Sequence, residues 1–382
     1  MALELTLTAD ERAHEARVLE AIHARIREAG GAISFAEFMA LALYAPGLGY
    51  YSAGARKFGA GGDFTTAPEI SPLFGRCLAR QCREVLVETG GSILEFGAGT
   101  GALAATVMET LASLGTLPER YFILEVSADL RARQQERLAL LAPPLAARVV
   151  WLDRLPEAPL AGVLLANEVL DALPCERFVM REGRAQRLGV GLDADGALCE
   201  VGLAGDFALP DGLVADALPE GYRGELCPSL AAWIASLAAC LDRGLVFAID
   251  YGLPRAALYH PDRASGTLRC HFRHRAHGEP FVNVGLQDIT AWVDFTAVAE
   301  AAADAGLAVA GFVTQAALLL ALGIERDVAA AGDSATRHAR ASGVRRLLLP
   351  TEMGETFKAI ALTRALDLPL SGFALQDLRR QL

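Results

Sequence analysis

Apolar and polar positions fall into two regimes along this chain, and the texture changes near residue 91. Beyond that point apolar runs stand at 92–97 (SILEFG), 121–127 (YFILEVS), 148–153 (RVVWLD), 161–167 (AGVLLAN) and 245–252 (LVFAIDYG). Helical spacing of apolar residues fills 102–114 and 128–141, between the first three. Continuous apolar strands with helices between them predict a parallel sheet covered on both faces. Runs at 307–315 (LAVAGFVTQ) and 356–363 (TFKAIALT) complete a seven-stranded sheet. The predicted fold class is therefore α/β and Rossmann-like, with a mostly parallel sheet.

Before residue 91 the pattern is helical. Residues 1–31 read as an amphipathic helix capped near Thr8 or Asp10 and stopped by Gly30-Gly31. A glycine-dense, aromatic loop spans 44–75, and a connection of that length predicts a lid or binding segment rather than a simple link. The alternative is an ordered surface loop packing its aromatics on the core. Two stretches interrupt the later alternation. Residues 175–225 alternate polar and apolar with turn signals at REGR and DADG, predicting a hairpin-rich insertion. Residues 253–290 hold few periodic apolar positions and many His and Arg. The division implied is N-terminal helices with a lid over 1–90 and a core over 91–382, with insertions at about 175–225 and 253–290.

Candidate chemistry begins at ILEFGAGTGALAATVM, residues 93–108, a strand, a glycine turn and a helix. Gly97, Gly99 and Gly101 permit positive φ and close backbone approach, and the helix that follows presents unpaired N–H groups. Ala98 and Thr100 complete the turn. This pattern alone does not name a ligand, because GAGTGA also satisfies the looser dinucleotide fingerprint. Glu95, two residues before the turn, favours S-adenosylmethionine: its carboxylate suits the ligand's amino group and would repel a pyrophosphate. Glu125, ending the second strand, can accept both ribose hydroxyls, a feature shared with NAD sites; a solvated strand end is the bland reading. Val126 and Leu152, at the ends of the second and third strands, join the candidate cofactor set. Asn167 and Glu168 follow the fourth strand, at the carboxyl edge where open α/β sheets bind ligands. Gly62, Asp63 and Phe64 in the N-terminal loop are the candidate lid contacts. No G-x-S-x-G elbow and no lysine after the glycines supports a hydrolase or a P-loop.

Composition adds bounds rather than direction. The chain has 382 residues, 53% of them apolar, enough for a large core, and no uncharged apolar run approaches about 18 residues, so no membrane span is expected. Net charge is −11, which argues against a general nucleic-acid binder. Seven cysteines without a CxxC pair, and no secretory leader pattern at the N-terminus, lead to the expectation of a reduced, cytoplasmic protein. His271, His274 and His277 are three apart, but Arg269, Arg273 and Arg275 interleave them and oppose a metal cation; a domain-contact or surface segment is expected there, with no metal site.

The ordered blocks FGAGGDFTTAPEISPLFG, LEFGAGTGALA, LANEVLDALP, AIDYG, GTLRCHFRHRAH, GLQDITAWVDF and MGETFKAIAL resemble the MidA family of class I S-adenosylmethionine-dependent methyltransferases, from about residue 30 to 363. Eukaryotic members of that family are mitochondrial complex I assembly methyltransferases that modify an arginine of a complex I subunit. The resemblance implies S-adenosylmethionine as cofactor and a protein substrate presenting an arginine. Two positions depart from the family pattern: Val284 precedes Gly285 where the family has proline, and Trp292 stands where it has histidine. If that histidine contacts substrate, the substrate of this chain differs.

Methyl transfer from a sulfonium is an in-line displacement that the protein mainly aligns. A guanidinium acceptor is cationic and weakly nucleophilic, so nearby carboxylates should localise its charge and take up the released proton. Glu168 and Asn167 are expected to line the meeting point, with Asp171 and Asp250 supporting. Asp171 alternatively serves as a helix-start carboxylate, and Asp250 as a turn residue. Other function classes remain: a non-catalytic cofactor-binding assembly factor, and an NAD-dependent oxidoreductase, for which no hydride-transfer site is evident.

Overall fold

The computed structural model describes residues 7–53, 66–205, 207–213, 217–330 and 332–382. Seven strands of the central sheet are β1 (Ser92–Phe96), β2 (Tyr121–Leu124), β3 (Val149–Leu152), β4 (Leu160–Asn167), β5 (Leu241–Leu253), β6 (Ala308–Thr314) and β7 (Phe357–Arg364). They lie in the order 6-7-5-4-1-2-3, and a two-residue strand, Val293–Asp294, pairs with the end of β5 as an eighth. Strands β1 to β5 pair in parallel; β7 runs antiparallel to both β5 and β6. The apolar runs are continuous because both faces are covered. Ile93, Val163, Leu165 and Phe247 point to one core layer, while Leu94, Leu164, Ala166 and Val246 point to the other. Strand order reverses between β1 and β4, so their carboxyl ends open a crevice at the sheet's switch point.

Helix α1 (Ala9–Glu28) starts at Thr8 in a capping box with Glu11, as the sequence spacing suggests, and ends before Gly30 and Gly31, both at positive φ. The N-terminal segment is not wholly helical. Ala32–Ser34 forms a strand that pairs antiparallel with Arg184–Leu192. Three residues carry too little periodicity to announce a strand, and the partner lies some 150 residues away. Helices α2 (Phe35–Tyr44), α3 (Ala67–Ile70) and α4 (Pro72–Thr89) follow. Helices α5 (Ala102–Ser113) and α6 (Ala128–Leu138) are the crossovers after β1 and β2.

Within 175–225, strands Glu176–Arg181, Arg184–Leu192, Leu198–Gly202 and Arg223–Leu226 join Ala32–Ser34 in a five-stranded antiparallel sheet. Glu182 and Gly183 both take positive φ at the first hairpin, a twist that suits a two-residue turn. The His/Arg-rich segment also forms a hairpin, Arg269–Phe272 with Arg275–His277, not a helical turn. Its Arg273 pairs with Glu11 of α1 at 2.7 Å, tying the segment to the N-terminal helix. Among the described residues no group of three or more His, Cys, Asp or Glu is arranged to hold a metal, and no helix is long and apolar enough to cross a membrane.

Candidate functional site

The crevice between β1 and β4 forms a cleft of about 280 Å³. Its floor is the glycine turn. Gly97, Gly99 and Gly101 all have positive φ, and the turn is pinned by Gly97 N–H donating to Leu124 O at 3.0 Å and Gly101 N–H donating to Ala98 O at 2.8 Å. Among the described residues a Cβ on Gly99 would meet nothing within 4 Å, so side chains are disfavoured there by φ rather than by crowding. Helix α5 begins at Gly101 with no side-chain cap among the described residues, leaving first-turn N–H groups for an anionic ligand group.

Gln134, fully buried on α6, locks this floor. Its Nε2 donates to Gly99 O at 2.9 Å and to Glu125 Oε2 at 3.0 Å, while its Oε1 accepts from Trp151 Nε1 at 3.0 Å. One amide thus fixes the turn, the acid after β2 and the middle of β3. Glu125 also accepts from Ser127 N–H at 2.8 Å, so its carboxylate is oriented before any ligand arrives. Glu69 on α3 reaches the turn from the opposite side, accepting from the Thr100 hydroxyl and, at 3.3 Å, from Arg137.

Glu95 is buried at the cleft base, and the Tyr121 hydroxyl donates to it at 2.8 Å. Burial pushes its carboxyl up to about 8, opposed by Tyr121 and reinforced by the nearby charge of Glu125. Glu168 sits on the facing wall with φ 56°, an unusual conformation for a glutamate, which costs about 1 kcal/mol or more. Its N–H donates to Ile249 O at 2.9 Å, and its Oε1 accepts from Ala67 N–H at 3.1 Å and Asn167 Nδ2 at 3.0 Å. Removal from water pushes Glu168 up to about 8 as well, with Asp171 and Asp288 adding to the rise and the Ala67 and Asn167 hydrogen bonds opposing it. Tyr44 and Tyr51 stack at 5.4 Å on this wall; Tyr44 donates to Ala172 O at 2.9 Å and Tyr51 to the buried Asp288 at 2.8 Å.

Behind Glu168 lies the support. Asp250 at the end of β5 is fully buried and accepts from the N–H groups of Val169, Leu170 and Asp171 at 3.1, 2.8 and 3.3 Å, and from Tyr251 N–H at 2.9 Å. It thereby shapes the 168–171 turn. Burial, then the charges of Asp171 and Glu168, push its carboxyl well above the carboxylate range against the pull of the backbone donors. Asp171 is pushed up to about 6, chiefly by burial, with the Tyr251 phenol opposing the shift.

The cleft therefore brings together Glu95, Gly97, Ala98, Gly99, Thr100, Glu125, Val126, Asn167 and Glu168. Gly101 stands one step behind, against Gln134. Leu152 packs into the apolar layer and does not line the cleft. Asp250 buttresses from below, and Asp171 lines a neighbouring cleft. Gly62, Asp63 and Phe64, with the lid proposed around them, lie outside the described residues. Glu69, Tyr44, Tyr51, Gln134 and Trp233 were not singled out by sequence reasoning as site residues. Tyr44 and Tyr51 fall within the aromatic loop read over 44–75 and Glu69 sits in the APEISPLFG block, so those three had a signal; Gln134 and Trp233 sit on ordinary helical faces.

A methyl-donor cofactor fits this set. Gly99 leaves space that a side chain would not, Asn167 Oδ1 is buried with no hydrogen-bond partner among the described residues, and Val126, 73% exposed, offers an apolar surface at the rim. Such a fold and site define a nucleotide-cofactor transferase of the class I type. Comparison with known proteins makes this specific: residues 77–313 match the family described as "Putative S-adenosyl-L-methionine-dependent methyltransferase", and the chain belongs to that family. Its cofactor is S-adenosylmethionine. A Burkholderia thailandensis protein crystallised with S-adenosyl-homocysteine is 43% identical over 99% of both chains, with a TM-score of 0.93. Protein arginine methyltransferase NDUFAF7, mitochondrial, from Danio rerio is 28% identical over 86% of this chain and 83% of its own length; the Homo sapiens protein is 26% identical over 87% and 80%. These mitochondrial relatives overturn the cytoplasmic expectation. Unpaired thiols had suggested it, but they report only a reducing surrounding, and the matrix of an organelle satisfies that equally.

Proposed function

We propose that this methyltransferase acts on an arginine side chain of a protein, by family resemblance a subunit of the respiratory complex I type. The observation that supports this most directly is Glu168, a carboxyl lining the donor cleft with the carboxyl groups of Asp171, Asp250 and Asp288 close by. S-adenosylmethionine, when bound, supplies an electrophilic methyl group on a sulfonium. Gly97 to Thr100 and the N-terminus of α5 would receive its carboxylate, Glu95 and Asn167 Oδ1 its ammonium, and Glu125 its ribose hydroxyls.

The remaining chemistry belongs to the chain. An entering guanidinium favours the ionised form of Glu168, which is held largely protonated near neutral pH by its surroundings. The ionised carboxylate localises charge at the far end of the guanidinium, raises electron density at the reacting nitrogen and takes up the proton that nitrogen loses. Asp250, through its three hydrogen bonds to the 169–171 backbone, keeps Glu168 in its unfavourable φ. The test is Glu168→Gln. It should leave S-adenosylmethionine affinity within a few-fold and lower transfer by about 10³-fold or more, the scale of a lost acid–base group; unchanged turnover removes Glu168 from the mechanism.

A further inference from the structure

A second cleft of about 450 Å³ lies across the Asn167–Leu173 segment from the donor cleft, and Leu173 lines both. It is lined by five carboxylates, Asp171, Glu225, Asp294, Glu300 and Asp304, against one guanidinium, Arg255. That guanidinium is already matched: it donates to Asp294 at 3.0 Å and to Glu300 at 2.7 Å. The carboxylate oxygens that lack a hydrogen bond are at the deep end. Asp171 and Glu225 are each 6% exposed, and among the described residues Asp171 Oδ1 and Glu225 Oε1 have no hydrogen-bond partner. Glu225 Oε1 has an ion-pair contact with Arg177 Nε at 3.6 Å, longer than a hydrogen bond, while Arg177 Nη1 donates to Glu200 at 2.7 Å. The other oxygen of Glu225 is anchored by Thr267, N–H at 2.7 Å and hydroxyl at 3.0 Å, so the carboxylate cannot swing to another partner. Buried carboxylate oxygens without partners are costly, and folds keep them where a ligand supplies the donor.

Aromatic surface completes the cleft. Tyr259, Phe207 and Trp292 line it, and the Trp292 ring already carries the Arg263 guanidinium 5.5 Å from its centroid. Trp292 lines this second cleft and not the donor cleft.

We propose that the second cleft is a specificity subsite for an unmodified arginine of the protein substrate, close in sequence to the residue that is methylated. The proposal rests on the reading that a protein is the substrate. Arginine is favoured over lysine because a planar guanidinium can span two carboxylates and lie flat on an aromatic ring, which a compact, strongly hydrated ammonium cannot do. Occupancy there would place substrate backbone over the Asn167–Leu173 wall, next to Glu168.

The experiment measures binding of acetyl-Gly-Arg-Gly-amide and its citrulline counterpart to the full chain saturated with S-adenosyl-homocysteine. The arginine peptide should bind about tenfold more tightly than the citrulline peptide. That preference should vanish in Glu225→Gln and shrink several-fold in Asp304→Lys, an exposed substitution at a helix end that leaves the buried network intact. It should persist in Glu168→Gln. Equal binding of the two peptides, a preference that survives both second-cleft substitutions, or one lost in Glu168→Gln would overturn the subsite. A preserved arginine preference in a protein that transfers no methyl group would sustain the subsite and defeat the proposed function; methyl transfer to arginine without the preference would do the reverse.

Discussion

Glu95 and Glu168 are acids whose burial sets them near pH 8, and that has a consequence for stability with a definite sign. Each has an ordinary value of 4.5 and is raised in the folded protein to about 8. Between those limits the folded chain holds a proton that the unfolded chain has released, so stability is greatest at the acid end of the window and falls as pH rises through it. Thermal unfolding without cofactor should show a declining Tm from about pH 5 to about pH 8, and Glu95→Gln should flatten the decline. An ammonium placed against Glu95 favours its ionised form, so S-adenosylmethionine should bind with release of a proton near pH 7. Titration calorimetry in buffers of different ionisation enthalpy reads this directly; identical enthalpies would contradict the placement of Glu95. These carboxyls were legible in part. Glu95, Glu125 and Glu168 stood out because each occupies a defined step beside a strand end. The protonation of Glu95 and Glu168 was not legible, because it depends first on burial and then on Tyr121, Ala67 and Asp288, which fold against them from elsewhere in the chain.

At the scale of elements, the strands and the turn were readable because a sheet covered on both faces needs continuous apolar runs, and a glycine turn needs its glycines. The seven runs from SILEFG to TFKAIALT all became strands of the central sheet. What joins one element to another was not readable. Gln134 looks like any polar residue of an amphipathic helix, yet it holds Gly99, Glu125 and Trp151 together. Gln134→Ala should cost about 1–3 kcal/mol of stability by leaving those groups unsatisfied and should weaken S-adenosylmethionine about tenfold, read by denaturant unfolding and calorimetry. An unchanged affinity would mean that the turn holds its shape without α6. The Arg273–Glu11 pair presents the opposite case. Both side chains are partly exposed, so Glu11→Ala should cost no more than about 1 kcal/mol and leave the donor cleft unaffected.

For the whole molecule, two clefts stand on either side of one wall, Asn167–Leu173, and carboxyl groups line both. The donor half of this arrangement was written in local sequence, since a β-α-β unit supplies its own turn and acids. The proposed acceptor half is assembled from β5, the 288–292 segment and the N-terminal tyrosines, and no local pattern could announce that they converge. The central claim is transfer of a methyl group to a protein arginine, and the direct measurement is transfer of labelled methyl from S-adenosylmethionine into lysate proteins of a strain lacking this gene, with the product identified by mass spectrometry. The account predicts label in one or a few proteins, on arginine nitrogen, lost with Glu168→Gln. Label found on another residue type, or none from a protein shown to bind the cofactor, would contradict it.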